Sequence, residues 1–297
     1  MYRSAYIILL FWLTLAPIPA VADSSGGERL AYVASYRGLL SVGLGLDIAA
    51  VTLTLPPLAD TGPEPTEALL AFTTQGFRKV ETILPMRFCY RSRLIPPTLA
   101  TQEANWWSRI GSKLSRGRLD FDVPHRRVLR RHVERKLTAQ GASRYTLEQR
   151  LSASSWANAP DPDRSELALP AQVPAMDRLA MLQWLRHQPL APGMVLDPVV
   201  SDGHRLLGFH IEVEDEDSTE WNGRSQPSLR IRLQPKFSDD TDDRPTWLWL
   251  GRDAQRLPLL FRSSRAFGHF EVRLESTQVS APSCAIPEAS ELVLPAP

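Results

Sequence analysis

The sequence predicts a mainly β protein of the α+β class, built as a large curved antiparallel sheet or half-barrel with one helix packed on it. Two observations support this prediction. Apolar residues alternate with polar ones along many short stretches that are separated by glycine- and proline-rich turns, which is the pattern of antiparallel strands. One segment, Ala175–His187, instead repeats its apolar residues at every third and fourth position, as an amphipathic helix does.

Composition places the chain among folded globular proteins. It has 297 residues, of which 43% are hydrophobic and 23% are charged, and these values exclude a disordered chain, a collagen and a coiled coil. The 34 basic residues are matched by 33 acidic ones. A nearly neutral chain has no overall electrostatic attraction to nucleic acid or to an anionic membrane, so we expect no nucleic-acid partner.

The first segment predicts export. Arg3 precedes an apolar run, Ala5–Ala16, that has the length of a signal-peptide core and is too short to span a bilayer. Two prolines then interrupt it, and Ala20-Val21-Ala22 fits a cleavage site. We therefore expect residues 1–22 to be a signal peptide; the alternative is an uncleaved anchor. No later stretch is apolar enough to cross a membrane, so the mature chain should have no transmembrane segment and should form a single domain, 23–297.

The predicted export determines how the two cysteines, Cys89 and Cys284, are interpreted. In an oxidising compartment an even count favours a disulfide between them; two unpaired thiols are the alternative. Their spacing fits neither a zinc knuckle nor a redox pair. The histidines form no metal-binding motif, and there is no cofactor fingerprint. The sequence therefore predicts no metal and no cofactor.

The strands of the first half begin with an alternating stretch and a second one rich in glycine. We expect Glu67–Thr74 to pair with Phe77–Leu84 around Gln75-Gly76. Residues 153–174 hold four prolines among small and polar residues and predict a loop or linker. The stretches expected to be strands are Leu30–Tyr36, Leu39–Leu55, Glu67–Thr74, Phe77–Leu84, Met86–Leu94, Leu119–Val123 and Arg127–Val133.

After the linker, Pro174 and Pro189 delimit the predicted helix. Asp202-Gly203 predicts a tight hairpin turn, and the acidic patches Glu212–Asp217 and Asp239–Asp243 are expected to flank turns. A tail begins at about residue 277. The strands expected here are Met194–Val200, His204–Val213, Leu229–Leu233, Thr246–Gly251, Leu257–Arg262 and Gly268–Glu275.

Three of these stretches carry a family resemblance. They are the first hairpin, LAYVASYRGLLSVGLGLDI; the helix, through Asp177, Leu179, Leu185, Arg186 and Gly193; and the last hairpin, through Trp249, Leu250, Asp253, Leu257 and Pro258. From about residue 30 to 276 the chain resembles the bacterial family numbered 3108 among domains of unknown function. It departs from the family in a longer acidic segment, Glu212–Arg224.

The resemblance implies an exported, periplasmic protein of a Gram-negative-type bacterium with a curved antiparallel sheet, similar in outline to periplasmic lipoprotein carriers. It implies no activity. From the predicted fold, the favoured hypothesis is a non-enzymatic carrier or binding protein of the cell envelope, with a lipid-like or amphipathic ligand or an envelope protein as its partner. The alternative is a periplasmic interaction scaffold with a filled core.

Two groups of residues are candidate binding sites. The bulky aromatic residues could line a pocket beneath the helix or fill a core; they are Trp184, Trp247, Trp249 and Phe261. A basic patch could bind lipid phosphates or an acidic partner, or could form a solvated edge that discourages aggregation; it comprises Arg126, Arg127, Arg130 and Arg131.

One carboxylate pair offers the weaker alternative of a hydrolase. Asp120 and Asp122 lie two residues apart on a predicted strand, so both face the same side. The surrounding arginines would neutralise such a pair on a solvated face. No nucleophile motif accompanies it, so the sequence favours a protein without catalytic residues.

Overall fold

The computed structural model describes residues 27–38, 45–58, 62–136, 163–236, 244–265 and 268–277. These residues form a 15-stranded antiparallel sheet and two helices. The elements of the first half are β1 (Glu28–Gly38), β2 (Leu46–Leu55), β3 (Thr66–Thr73), α1 (Arg78–Ile83), β4 (Met86–Ile95), β5 (Ala100–Ile110), β6 (Lys113–Asp122), β7 (Arg127–Lys136) and β8 (Asp163–Ala168). Those of the second half are α2 (Arg178–His187), β9 (Val195–Leu196), β10 (Val199–Ser201), β11 (Leu206–Trp221), β12 (Arg224–Pro235), β13 (Thr246–Gly251), β14 (Pro258–Arg265) and β15 (Gly268–Ser276).

The sheet consists of two meanders joined through the first and last strands. Its order is β10-β11-β12-β13-β14-β15-β1-β2-β3-β4-β5-β6-β7-β8, with β9 paired to β11. The junction is the antiparallel β1–β15 pair, in which Ala34 lies opposite Val272. Strands β8 and β10 are the two edges, so the sheet is not closed.

The sheet curves around α2. Nine neighbouring strands, β12 to β5, contribute side chains to one cavity against this helix. Laid flat at ~4.8 Å per strand, nine strands would span about 40 Å, which is much wider than the helix that they all face. The sheet is therefore curved, with α2 on its concave side. This confirms the predicted mainly β fold and the single helix packed on a curved sheet.

The main core lies between α2 and the concave face. Leu179, Ala180 and Leu185 of the helix are buried against residues such as Leu53 and Ile231 of the sheet. The helical spacing of these apolar residues explains why one face of α2 is buried while Arg178 and His187 remain exposed. A smaller cluster, which includes Leu119, Phe121 and Val128, extends the core toward β6 and β7.

Three local predictions are wrong. Residues Phe77–Leu84 contain the helix α1, not a strand, and β3 pairs with β4 instead. In this segment Glu81 bonds to Thr74 and Arg87, contacts that a short helical turn allows and that no alternation of apolar residues could reveal.

The chain leader and the tail after residue 277 lie outside the described residues, so the signal peptide stays a prediction.

The second wrong prediction concerns the linker. Residues 163–168 within it form strand β8, which pairs with β7. Its sequence, DRSELA, is polar because it is an edge strand. Ion pairs from Arg127 to Glu166 and from Arg130 to Asp163 connect β8 to its neighbour, so this strand needs no apolar alternation to hold its register.

The third wrong prediction concerns the acidic segment. Glu212–Asp217 does not flank a turn but continues strand β11, which runs to Trp221 and turns at Asn222-Gly223. Arg230 lies opposite Asp215, and Arg232 lies opposite Glu212. Opposite charges on neighbouring strands stabilise the pairing, so a charged stretch that resembles a loop in the sequence forms the longest hairpin of the sheet.

Candidate functional site

A cavity of about 530 Å³ lies between α2 and the concave face of the sheet. This volume is in the ~300–1,000 Å³ range of small-molecule sites. The lining is apolar apart from two arginines and the Tyr32 hydroxyl. The lining residues are Tyr32, Val51, Leu53, Leu70, Phe72, Met86, Arg87, Phe88, Ile110, Arg178, Leu179, Met181, Leu182, Leu185, Leu233, Leu248, Phe261 and Val272. Such a lining would accept a hydrocarbon chain.

A second, more polar cavity of about 390 Å³ adjoins the first. The two share the side chains of Leu70, Phe88, Arg178 and Leu179. The second cavity adds polar groups from β4, β5, β7, β10 and the turn before β11: Tyr90, Trp106, Arg130, Ser201, Asp202 and His204. Together the two spaces form an apolar chamber and a polar chamber that meet at Arg178 and Leu179.

The amino end of α2 is anchored by Asp177, the acidic residue of the family-like motif. Asp177 is buried and caps the helix, because its carboxylate accepts a hydrogen bond from the Ala180 N–H (2.8 Å). The Tyr90 hydroxyl donates to the same carboxylate (3.1 Å). Burial raises the pKa of Asp177 above its usual range, and burial together with the nearby Asp177 charge raises that of Tyr90. This end of the helix is therefore bound directly to strand β4.

The carboxyl end of α2 is anchored by Arg186, which is 1% exposed. Its guanidinium donates to the carbonyl oxygens of Gln255 (2.6 Å) and Arg256 (3.1 Å). It also donates to the Gln183 side chain (2.8 Å) and forms an ion pair with Glu28. Burial lowers the pKa of Arg186, and the Glu28 charge opposes this shift. The guanidinium therefore connects the helix to β1 and to the loop after β13.

That loop contains the third family-like stretch, and its shape depends on Asp253. The Asp253 carboxylate accepts the backbone N–H groups of Gln255 (3.1 Å) and Arg256 (2.9 Å). The Arg256 side chain in turn donates to the carbonyl oxygen of Arg186 (3.0 Å). The motif residues of the helix and of the last hairpin thus meet in one hydrogen-bonded joint, and their role is to fix α2 over the sheet.

The larger cavity meets the surface at two exposed lining residues, Arg178 and Ile110, of which Ile110 is 52% exposed. Two further exposed apolar residues lie at the same end of the sheet, Ile83 (83% exposed) and Leu84 (41% exposed). They are close to the Ile110 turn, because the Gly111 N–H donates to the carbonyl oxygen of Pro85 (2.9 Å). Ile83, Leu84 and Ile110 are therefore exposed together beside the mouth of the cavity at Ile110, and we call these three residues the apolar rim.

The four aromatic residues predicted to line a pocket occupy different places. Phe261 lines the larger cavity. Trp184 packs against the core beside it. Trp247 and Trp249 alternate with the buried Leu248 and therefore point to the convex face. There the Trp249 ring lies beneath the Arg262 guanidinium (5.1 Å), and its N–H donates to Asp217 (2.9 Å). Trp249 is thus buried by polar neighbours rather than by a ligand pocket.

The predicted basic patch is largely neutralised. Arg127 bonds to Asp122 (2.9 Å) and Arg131 to Asp120 (2.8 Å). Arg126 donates to the carbonyl oxygens of Pro170 and Val173. Arg130 points the other way, is 8% exposed, lines the polar cavity and stacks over Trp106 (5.7 Å). These four arginines therefore do not form one basic surface.

The same pairs account for the predicted carboxylates. Asp120 also bonds to Arg118 (2.6 Å), and Asp122 also bonds to His125 (2.8 Å). Hydrogen bonds from His125 and Arg127 lower the pKa of Asp122. Both aspartates alternate with the buried Phe121 and so face away from the core. In the parts of the chain that the structure describes, no group of three His, Cys, Asp or Glu residues could hold a metal ion.

Cys89 lies on β4 and is completely buried. Cys284 is outside the described residues, so the predicted disulfide stays a prediction. The helices that the structure describes include none with the length and apolar character of a membrane span.

Sequence reasoning missed most of the cavity lining. Val51, Leu70 and Phe88 were recognised only as members of alternating strands, and the sequence does not say which strands face the same helix. The helical spacing of the apolar residues places Arg178 on the polar side of the helix, but it does not show that this side chain borders two cavities. The one available signal was its position at the first turn of the predicted helix.

The fold is similar to that of a solved protein. The chain is similar to the crystal structure of a β-barrel-like protein of the domain of unknown function DUF1849 from Brucella abortus, with a TM-score of 0.52, 10% identity, and coverage of 84% of this chain and 95% of that chain. At this identity the similarity concerns the fold alone. No curated protein matches the chain. The model of the family DUF3108, described as a protein of unknown function, matches residues 134–275. This match includes the predicted motifs of the helix and of the last hairpin, so the resemblance to DUF3108 is confirmed over residues 134–275.

Proposed function

We propose that the protein is an exported, periplasmic binding or carrier protein that holds a lipid-like or amphipathic ligand between α2 and the sheet. One observation carries the proposal: the cavity of about 530 Å³ is lined almost entirely by apolar side chains and opens at Ile110. Each methylene group that a ligand buries there contributes ~0.8 kcal/mol. A hydrocarbon chain therefore has a large favourable free energy of transfer from water into this space.

The apolar rim supports the same function. The rim exposes Ile83, Leu84 and Ile110 to water. Exposed apolar clusters are unfavourable in solution and commonly mark sites of interaction. At the mouth of an apolar cavity they would cover a hydrocarbon chain while it enters or leaves. The scaffold alternative needs a filled interior, and the cavity counts against it. The hydrolase alternative is not supported, because Asp120 and Asp122 lie on the convex face and are bonded to arginines.

A neutral fluorescent probe tests the proposal without involving charge. N-phenyl-1-naphthylamine should bind the purified protein with increased fluorescence. Val272→Phe enlarges a side chain that lines the cavity, and should weaken this binding roughly tenfold, which is the loss expected when about two methylene equivalents are no longer buried. Val195→Phe makes the same enlargement at a half-exposed position outside the cavity and should leave binding unchanged.

Native mass spectrometry of protein purified from its own periplasm supplies a second test. A bound lipid-like molecule should be detected with wild-type protein and should be depleted in Val272→Phe. Absence of probe binding to a folded protein, together with absence of any co-purified ligand, would refute the carrier function. Equal probe binding by the Val272→Phe and Val195→Phe variants would place the binding elsewhere and would also contradict it.

A further inference from the structure

Arg178 has an unusual position among the charged residues of the two cavities. It is exposed at the first residue of α2 and lines both chambers. Within the described ranges it has neither a hydrogen-bond partner nor an ion-pair partner. The other arginine of the apolar chamber, Arg87, is bonded to Glu81 through both of its terminal nitrogens (2.9 and 2.8 Å). Among the described residues, Arg178 is therefore the one charged side chain that lines both chambers and has no hydrogen-bond or ion-pair partner.

The charged groups of the polar chamber have other roles. Arg130 stacks over Trp106 (5.7 Å) and contacts Asp163 (3.5 Å). The Asp202 carboxylate accepts the backbone N–H groups of His204 (2.9 Å) and Arg205 (3.0 Å), so it holds the turn before β11. These interactions leave Arg178 and the His204 imidazole as groups available to a ligand, and of the two only Arg178 lines both chambers.

We propose that the ligand is an anionic single-chain amphiphile whose hydrocarbon chain occupies the apolar chamber and whose headgroup binds Arg178 at the entrance to the polar chamber. The proposal rests on the carrier function above and names the class of its ligand. A guanidinium donates two parallel hydrogen bonds to a carboxylate or to a phosphate, so both headgroups share the required chemistry. The side chains of Tyr90 and Ser201 line the polar chamber behind it, and this chamber has room for polar parts of the headgroup.

This arrangement fixes the direction of the ligand. The two chambers share Leu70, Phe88 and Leu179 as well as Arg178. A chain therefore extends from the junction along β3 and β4, past Phe72 and Met86, toward the mouth at Ile110. A headgroup placed at the mouth instead would lie near Arg87, whose charge Glu81 already neutralises.

Competition with the neutral probe tests the headgroup separately from the chain. Hexadecanoate and hexadecyl phosphate should displace N-phenyl-1-naphthylamine roughly ten- to hundredfold more effectively than hexadecanol, the range expected for a hydrogen bond to a charged group. Hexadecylamine should be the weakest competitor. The comparison of hexadecanoate with hexadecyl phosphate tells which of the two anions the site prefers.

Variants locate the effect. Arg178→Gln should reduce the preference for the anions over hexadecanol to about onefold, whereas Arg178→Lys, which keeps the charge without the fork, should keep an intermediate preference. Arg224→Gln removes an exposed arginine from the β11–β12 hairpin, far along the sheet order from the junction, and should retain the full preference. Because Arg178 is exposed, melting temperatures should be unchanged.

The outcomes distinguish the two proposals. If the neutral probe and all four amphiphiles fail to bind, the carrier function is wrong. If the probe and hexadecanol bind but wild-type protein shows no preference for the anions, the headgroup proposal is wrong and the carrier function stands. A preference that survives in Arg178→Gln would equally overturn the assignment of Arg178. The selectivity of the wild-type protein is informative even if a variant fails to fold.

Discussion

Replacing Arg186 by methionine should destabilise the protein more than almost any other single substitution of a charged residue. Methionine keeps the apolar stem of the side chain but removes the guanidinium. The carbonyl oxygens of Gln255 and Arg256 would then lose the buried donor that bonds to them at 2.6 and 3.1 Å. The Glu28 carboxylate, whose side chain is 22% exposed, would lose its ion-pair partner.

The magnitude follows from these losses. Breaking a buried ion pair by removing one partner costs ~3–5 kcal/mol, and each buried acceptor left without a donor costs ~1–3 kcal/mol. Because Glu28 retains some contact with water, we expect a total of about 4 kcal/mol. This free energy is a large part of the ~5–15 kcal/mol that keeps a typical domain folded. In a domain of this size it corresponds to a decrease in melting temperature of about 10 °C.

Thermal denaturation followed by circular dichroism measures the effect. Arg224→Met is the matched control, because Arg224 is an exposed residue of a hairpin, and it should stay within ~0.5 kcal/mol of wild type. The double variant Arg186→Met with Glu28→Gln should be less destabilised than the sum of the single variants, since no unpaired carboxylate remains. A melting temperature for Arg186→Met within about 2 °C of wild type would refute the anchoring role.

Three further predictions concern the helix cap, the sheet and the mouth. Burial raises the pKa of Asp177, so its protonated form favours the folded state, and its ionisation costs stability as the pH rises above about 4, the value of an unfolded aspartate. Asp177→Asn should therefore melt at or above the wild-type temperature at pH 7 and show a smaller loss of stability between pH 4 and pH 7, whereas Asp177→Ala, which loses the cap, should fall by ~1–2 kcal/mol; an Asn variant as unstable as the Ala variant would contradict this. Gly117→Ala would place a methyl carbon 2.1 Å from the Trp106 ring, so chemical denaturation should show a loss of ~1–3 kcal/mol, and an unchanged midpoint would refute the close contact. Ile110→Ser should leave the free energy of unfolding within ~0.5 kcal/mol of wild type but slow probe association several-fold in stopped-flow fluorescence. An unchanged association rate would show that the probe enters elsewhere.

Most strands were predictable because their inward residues alternate. In β2, for example, Val51, Leu53 and Leu55 are buried in the order that their period of two indicates. The helix was predictable for the same kind of reason, since Met181 and Leu185 lie four residues apart on one buried side. Both patterns record which face of an element is buried, and that information is local in the sequence.

Two of the three failures have a common physical cause, which is that charges on paired strands stabilise one another across the sheet. Glu212 and Asp215 are separated from Arg232 and Arg230 by a hairpin of many residues, so each charged run resembles a solvated loop when considered alone. The polar edge strand β8 was missed for the same reason. A single sequence shows the charges but not the register that pairs them.

The candidate site could be predicted even less well, because a cavity depends on where atoms are missing. Its lining comes from nine strands and one helix, and alternation indicates only that each residue points inward. Trp249 illustrates the difficulty. It was expected near the pocket because it is large and aromatic, yet it occupies the convex face beneath Arg262. Residue type predicts burial, but the strand register decides on which side of the sheet the residue is buried.

The two anchors of α2 explain how so large an apolar space can persist. In a closed core, leaving a void costs ~24 cal/mol per Å³, which for about 530 Å³ would be on the order of 13 kcal/mol, as much as the whole stability of many domains. Opening the space to solvent at Ile110 reduces that cost but leaves apolar walls in contact with water. Asp177 and Arg186 hold the two ends of the helix on different parts of the sheet, so α2 cannot move inward to fill the space. The buried polar residues of the family-like motif thus maintain an apolar cavity, and a ligand that fills it recovers the free energy which the anchored helix leaves unrealised.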